Sequence, residues 1–300
     1  MVNNKTRKNK KLNKLHCGPI KRNKTFKYSC FDDKTLFQLK EIINQHSDEI
    51  NIESNKPKKI WHELNKKIPD CKNEQCWLKH IKNDKLVAKI NKYYFAPKQP
   101  NEWKENPNTW LYGRDIIHVL EQYEFEYPNF RFIGPSPIDF DSSVDIFHTC
   151  VEQELCDFSL EKTIQDGYNK IGVVFNLDKH YQSGSHWTSM FIDLKDNFIY
   201  YMDSAAAMKI PKEVNDLVKR ITEQNNDLKR PKLAFYNNKI EHQKGNSECG
   251  MYSLYFIVTM LMEKTNTQKL KNRREKIDYF SNKRIPDDVV FEYREKYFNK

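Results

Sequence analysis

The sequence predicts an α+β fold: a helical first third, then a domain built on a central, mostly antiparallel sheet with one long apolar helix. Three observations carry this. Between residues 33 and 91 the apolar residues recur only at helical spacing. Between residues 171 and 236 four runs of strand length are interrupted by a single helical stripe. Glu248 to Glu263 then forms an apolar run of helix length behind a polar loop. Helices set apart from strands in this way indicate α+β rather than α/β architecture.

Taken in order, Leu36, Leu39, Ile42 and Ile43 mark the first helix, and Ile60, Trp61, Leu64 and Ile68 mark the second. A third candidate covers Trp77 to Asn91. Ala96 to Asn108, with Pro97, Pro100 and Pro107, is expected to be a linker or extended arm. Helical spacing returns through Leu111, Ile116, Ile117 and Leu120, while Arg131 to Phe140 is punctuated by Pro135 and Pro137. Strands are expected at Ile171 to Leu177, His186 to Asp193, Asn197 to Asp203 and Lys232 to Tyr236. The second and third of these should form a hairpin around Lys195. Val214, Leu217, Val218 and Ile221 share one helical stripe, as do Met251, Leu254, Tyr255 and Val258 in the last helix.

The net charge of +10 belongs to one end of the chain. Ten of the 51 Lys and Arg residues lie in residues 1–27, which contain no Asp or Glu; 41 basic residues then face 41 acidic ones. With no apolar periodicity, residues 1–29 are expected to be a disordered basic tail. Such a tail could contact nucleic acid through counterion release. No run reaches the ~20 apolar residues of a membrane span, and the N-terminus lacks the apolar stretch of a signal peptide. Seven cysteines without a framework spacing point to reduced thiols in a soluble protein of a reducing compartment.

Four residues stand out together. Cys249 lies where the polar KGNSE loop meets the apolar helix, so a thiolate there would meet the positive end of the helix macrodipole. Gly250 follows it and allows close approach of another group. His186 opens one arm of the expected hairpin and Asp203 closes the other, which would bring base and orienting carboxylate to one sheet edge. Gln243 precedes the cysteine in the same loop, and its amide could donate to an oxyanion. Each has an ordinary alternative: a buried core cysteine, or polar residues on a solvated surface. His62, Cys71, Cys76 and His80 offer four possible metal ligands, but the spacing lacks the tight glycine-bearing knuckles of zinc modules.

The succession HW at His186 and Trp187, YMDS at Asp203, and QKGNSECGMYSLYF spanning Gln243, Cys249 and Gly250 resembles the SUMO/adenain-type (Ulp-like) cysteine proteases. The resemblance implies that His186, Asp203 and Cys249 are catalytic, that Gln243 builds the oxyanion hole, and that Trp187 and Gly250 border the substrate channel. It covers roughly residues 108–300, so the chain would divide into a tail at 1–29, a helical domain at 30–100 and an adenain/Ulp-like protease domain at 101–300. CKNEQC, WLYGRDI, SPIDF and RIPDDVVFEYREKYF further resemble the capsid-maturation proteases of large nucleocytoplasmic DNA viruses, of the African swine fever virus and giant-virus type. Asn is the third residue in that group, whereas Asp203 follows the poxvirus and SUMO-protease pattern. The resemblance implies cleavage after small, Gly-Gly-like residues in viral structural precursors, in virion and host cytoplasm, with no metal or organic cofactor. Two alternatives are a SUMO or ubiquitin-like deconjugating isopeptidase and a basic nucleic-acid-binding virion protein with an inactive protease-like domain.

Overall fold

Nearly unbroken burial along the central strands requires cover on both faces of a sheet, and the structure supplies it. The computed structural model describes residues 15–19, 29–46, 50–147, 149–206 and 209–300. It separates into one unit of residues 1–98 with 296–300 and another of residues 99–295.

The first unit holds helices α1 (Asp33–His46), α2 (Pro57–Lys67) and α3 (Asp84–Tyr94) around a core that includes Phe31, Leu36, Leu39, Ile60, Leu64 and Trp77. Asn83 caps α3 by accepting from the Leu86 amide at 3.0 Å. Residues 15–19, expected to belong to a disordered tail, are instead held. Cys17 bridges Phe95, and the Ala96 amide donates to the His16 carbonyl at 2.9 Å. The rest of that tail, 1–14 and 20–28, lies outside the described residues.

A second correction concerns the cysteines. Cys17–Cys30, Cys71–Cys76 and Cys150–Cys156 are disulfides, and Cys249 alone is a free thiol. Reduced thiols were expected from an odd count without framework spacing. That expectation fails because the backbone brings the Cα atoms of each pair to 5.2, 5.4 and 6.3 Å, within disulfide reach, which spacing alone does not reveal. With Cys71 and Cys76 bonded to each other, the metal-site reading loses both thiolate ligands.

The second unit opens with residues expected to be a linker. Trp103 is buried there, with Nε1 donating to the Thr109 carbonyl at 2.9 Å and the Arg294 guanidinium 4.2 Å from its ring centroid. Helix α4 (Gly113–Glu126) leads into strand β1 (Phe130–Pro137). Short helices α5 (Gln153–Cys156) and α6 (Leu160–Gln165) follow, then β2 (Lys170–Asn176), β3 (Trp187–Asp193) and β4 (Phe198–Met202). Next come α7 (Lys212–Asp227), β5 (Ala234–Asn237), α8 (Cys249–Met262), α9 (Arg273–Ser281) and α10 (Asp287–Glu292).

The strands form one sheet in the order β1-β2-β3-β4-β5. The fold is α+β, with an antiparallel centre and two outer pairs, β1–β2 and β4–β5, that run parallel. Ile171, Val173, Met190, Ile192, Ile199 and Tyr201 face the α7 stripe of Val214, Leu217, Val218 and Ile221. The opposite face meets α8: the Tyr200 and Phe256 rings are 5.4 Å apart, and a Cβ on Gly172 would lie 2.9 Å from Ile257. Every residue of α8 from Cys249 to Leu261 is buried, so the single stripe expected for it was too narrow. The Cys249 end of α8 is thus fixed by packing on all sides.

Candidate active site

The β3–β4 register, Ser189 opposite Met202, sets the start of β3 beside the end of β4. His186 and Asp203 flank those two strand ends. Asp203 Oδ1 and His186 Nε2 are 2.7 Å apart, both side chains largely buried. Nδ1 is left for the thiol of Cys249, the first residue of α8, which interacts with the imidazole. Burial works to lower the His186 pKa, but hydrogen bonds and charge from Asp203 and Cys249 outweigh it and raise it to about 9.

The loop before His186 is braced along its length. Asp139 accepts from the His180 amide and lies 2.8 Å from His180 Nδ1, which anchors the SPIDF segment to this loop. The Leu177 amide donates to the His186 carbonyl at 2.9 Å. Gly184 has a positive φ of 90°, and a Cβ there would lie 2.7 Å from Asn176 Nδ2, so glycine is required on both counts.

Trp187 donates from Nε1 to the Leu111 carbonyl at 2.9 Å. A Cβ on Gly250 would stand 3.0 Å from Leu111 Cβ and 3.3 Å from Trp187 Cδ1. Trp187 and Leu111 therefore pack closely on Gly250, the residue after Cys249, where a larger side chain would not fit. Leu111 was not singled out as a site residue from the sequence, where it reads only as part of a helical stripe, and it lies just before α4.

Gln243 is buried and its amide is doubly held. Oε1 accepts from the Ser204 hydroxyl at 2.7 Å, and Nε2 donates to the Gly245 carbonyl at 2.8 Å. The start of α8 has no side-chain cap, so its first amides are not taken up by a capping residue. A thiol beside an imidazole, an imidazole on a carboxylate, and amide donors at a helix start can together move a proton and hold a developing oxyanion.

Residues 169–290 match the Ulp1 protease family, C-terminal catalytic domain. Those residues are an Ulp1-family protease domain. A protein of Acanthamoeba polyphaga mimivirus that carries a thiol-protease name is 28% identical over 266 residues, covering 82% of this chain and 84% of that protein. A protein of African swine fever virus named as a SUMO-1 cysteine protease is 25% identical over 270 residues, covering 83% and 92%. A crystal structure of the African swine fever virus protease aligns with a TM-score of 0.62 at 19% identity, covering 95% of this chain and 96% of that one. The chain is a cysteine protease whose residues 169–290 form the Ulp1-family domain. Among the described residues, no helix is long and apolar enough to cross a membrane.

Two residues that sequence reading passed over touch the Ulp1-type site. Asn238 accepts from the Asp203 amide at 3.0 Å and donates to the Asp203 carbonyl at 2.6 Å. Ser204, already described on Gln243, is the residue after Asp203. The only signal available was its place in YMDS.

Proposed function

We propose that this chain is a thiol endopeptidase in which Cys249 is the nucleophile, His186 its base, Asp203 the orienting carboxylate and Gln243 an oxyanion-hole donor. One observation carries the reading: His186 is hydrogen-bonded through Nε2 to Asp203 and interacts with the one free thiol, at an uncapped helix start. His186 takes the Cys249 proton, and the thiolate attacks the scissile carbonyl. The second Nε2 proton of Gln243 and the Cys249 amide receive the oxyanion. Protonated His186 then gives its proton to the leaving amine, and water hydrolyses the thioester.

The substrates are viral structural precursors, cut after small residues during virion maturation in virion and host cytoplasm. The close packing of Trp187 and Leu111 on Gly250 beside Cys249 leaves little room there, which supports small residues before the scissile bond. Relatives from two large DNA viruses support the viral setting. The basic residues of 1–27 would serve as an accessory contact to packaged nucleic acid; deleting them should abolish salt-sensitive DNA binding and spare peptide hydrolysis.

The test is mass spectrometry of candidate capsid precursors treated with wild type and with Cys249→Ser. New termini after small residues should arise with wild type alone, and equal cleavage by Cys249→Ser would overturn the assignment. The SUMO-protease name of one relative favours a second reading, removal of a ubiquitin-like modifier. Release of SUMO from conjugates, with no cleavage of precursors, would select it.

A further inference from the structure

The two halves of the site, His186 with Asp203 and Gln243 with Cys249, come from segments some forty residues apart, yet one dipeptide touches both. We propose that Ser204 is a positioning residue for the oxyanion hole, and that the Asp203–Ser204 step sets the imidazole and the Gln243 amide in one frame. This rests on the catalytic reading given above.

The geometry leaves Gln243 one orientation. The Gly245 carbonyl can only accept, so the amide nitrogen of Gln243 must face it, and the amide oxygen then faces Ser204. Ser204 supplies the hydroxyl proton which that oxygen needs, at 2.7 Å and with both residues buried. One Nε2 proton goes to Gly245 and the other is directed to the reacting carbonyl. The main chain repeats the connection: the Ser204 carbonyl accepts from the amides of both His242 and Gln243, at 2.8 and 2.9 Å.

The dipeptide is in turn held from behind. The Asn238 side chain pairs with the amide and carbonyl of Asp203 as a neighbouring strand would, continuing the β4–β5 ladder beyond Tyr201 and Asn237. Buried amides that are satisfied on every side keep one orientation, and an unpaired one does not. Without the Ser204 hydroxyl, the Gln243 oxygen would sit buried and unpaired, and the amide would rotate or shift away from the oxyanion.

Steady-state hydrolysis of a Gly-Gly-aminomethylcoumarin peptide by the full chain tests this. Gln243→Ala should lower kcat roughly a hundred-fold. Ser204→Ala should lower kcat about tenfold, because it misplaces a donor without removing it, and should leave KM within about twofold. Ser204→Cys, close in size and a weaker donor, should fall between wild type and Ser204→Ala. Since Ser204 acts through Gln243, the double variant should be no slower than Gln243→Ala alone. The pH–rate limbs of Ser204→Ala should stay where they are in wild type, and thermal unfolding identifies variants that remain folded. Wild-type kcat in folded Ser204→Ala, multiplication of the two losses in the double variant, or displaced pH limbs would each overturn the proposal. Cys249→Ser as fast as wild type would instead overturn the catalytic reading on which it rests.

Discussion

The β3–β4 hairpin carries a buried cation at each end, and the two ends are built for opposite purposes. At the turn, Lys276 of α9 has no exposed side-chain surface and meets Asp193, Asp196 and Glu263 at 3.0, 2.7 and 2.9 Å. Glu263 also takes Lys170 at 2.8 Å. At the open end His186 has one carboxylate, Asp203, and a thiol. Burial opposes both cations, and their partners outweigh it in both, so both pKa values rise. A lysine surrounded by three carboxylates keeps its proton across the physiological range. The imidazole, raised only to about 9, holds its proton less tightly than that lysine and can pass it on, which proton transfer needs. Charge satisfied in full holds structure, and charge satisfied in part is available for chemistry.

The difference can be broken most sharply at the turn. Lys276→Met leaves buried Asp193 without its cation and should cost about 3–5 kcal/mol of unfolding free energy in denaturant titration. Peptide turnover per folded molecule should change little. A loss below about 1 kcal/mol would mean that the cluster contributes no more than an exposed ion pair.

At the open end the sign of the pH dependence follows from the raised value. His186 titrates at about 9 in the fold, against ~6.5 for a free imidazole. Its contribution to stability is therefore complete below about 6.5 and is lost as the pH rises through about 9. The Lys276 contribution, by the same rule, is complete below the ~10.4 of a free lysine and persists where that of His186 has gone. Asp203→Asn keeps an acceptor but removes the charge. It should lower the His186 pKa, read by NMR titration of the ring, and reduce kcat by about tenfold or more. An unmoved titration would show that Asp203 does not set the imidazole's charge.

The smallest effect belongs to a second histidine. His242 is fully buried beside Gln243; it donates from Nε2 to the Phe280 carbonyl and accepts at Nδ1 from the Ile285 amide, both at 3.0 Å. Burial holds its pKa below the ordinary value. Its contribution is thus present above about 6.5 and lost as the pH falls further. The unfolding midpoint of wild type should decline on acidification below that point. His242→Asn, which can serve both bonds without titrating, should flatten the decline, and an unchanged slope would assign it to other groups.

How far the fold could be read beforehand varied with the local pattern. The hairpin of β3 and β4 was legible because β-branched and aromatic residues alternate on either side of a polar turn. Strand β1 was not, because Pro135 and Pro137 interrupt it. The sheet tolerates them because β1 is an edge strand, and its pairing with β2 shifts register between Ile133 and Ser136. Gly134 sits at that shift with a φ of 99°, where a Cβ would lie 2.6 Å from the Val174 carbonyl. Trp103 lay hidden in a proline-rich stretch, since nothing local reveals that Arg294, far along the chain, will cover its ring.

Periodicity and residue type alone determined the α+β class, the helical first third, the hairpin and the short set of residues from which the site is built. Those properties are local: they depend on which face a side chain takes and which chemistry it carries. Tertiary structure alone decided the parallel outer strands, the pairing of the Gln243 oxygen with Ser204, and the closure of three carboxylates on Lys276. Each of these joins groups distant in sequence, and their meeting is governed by how sheet and helices pack, which no window of sequence contains.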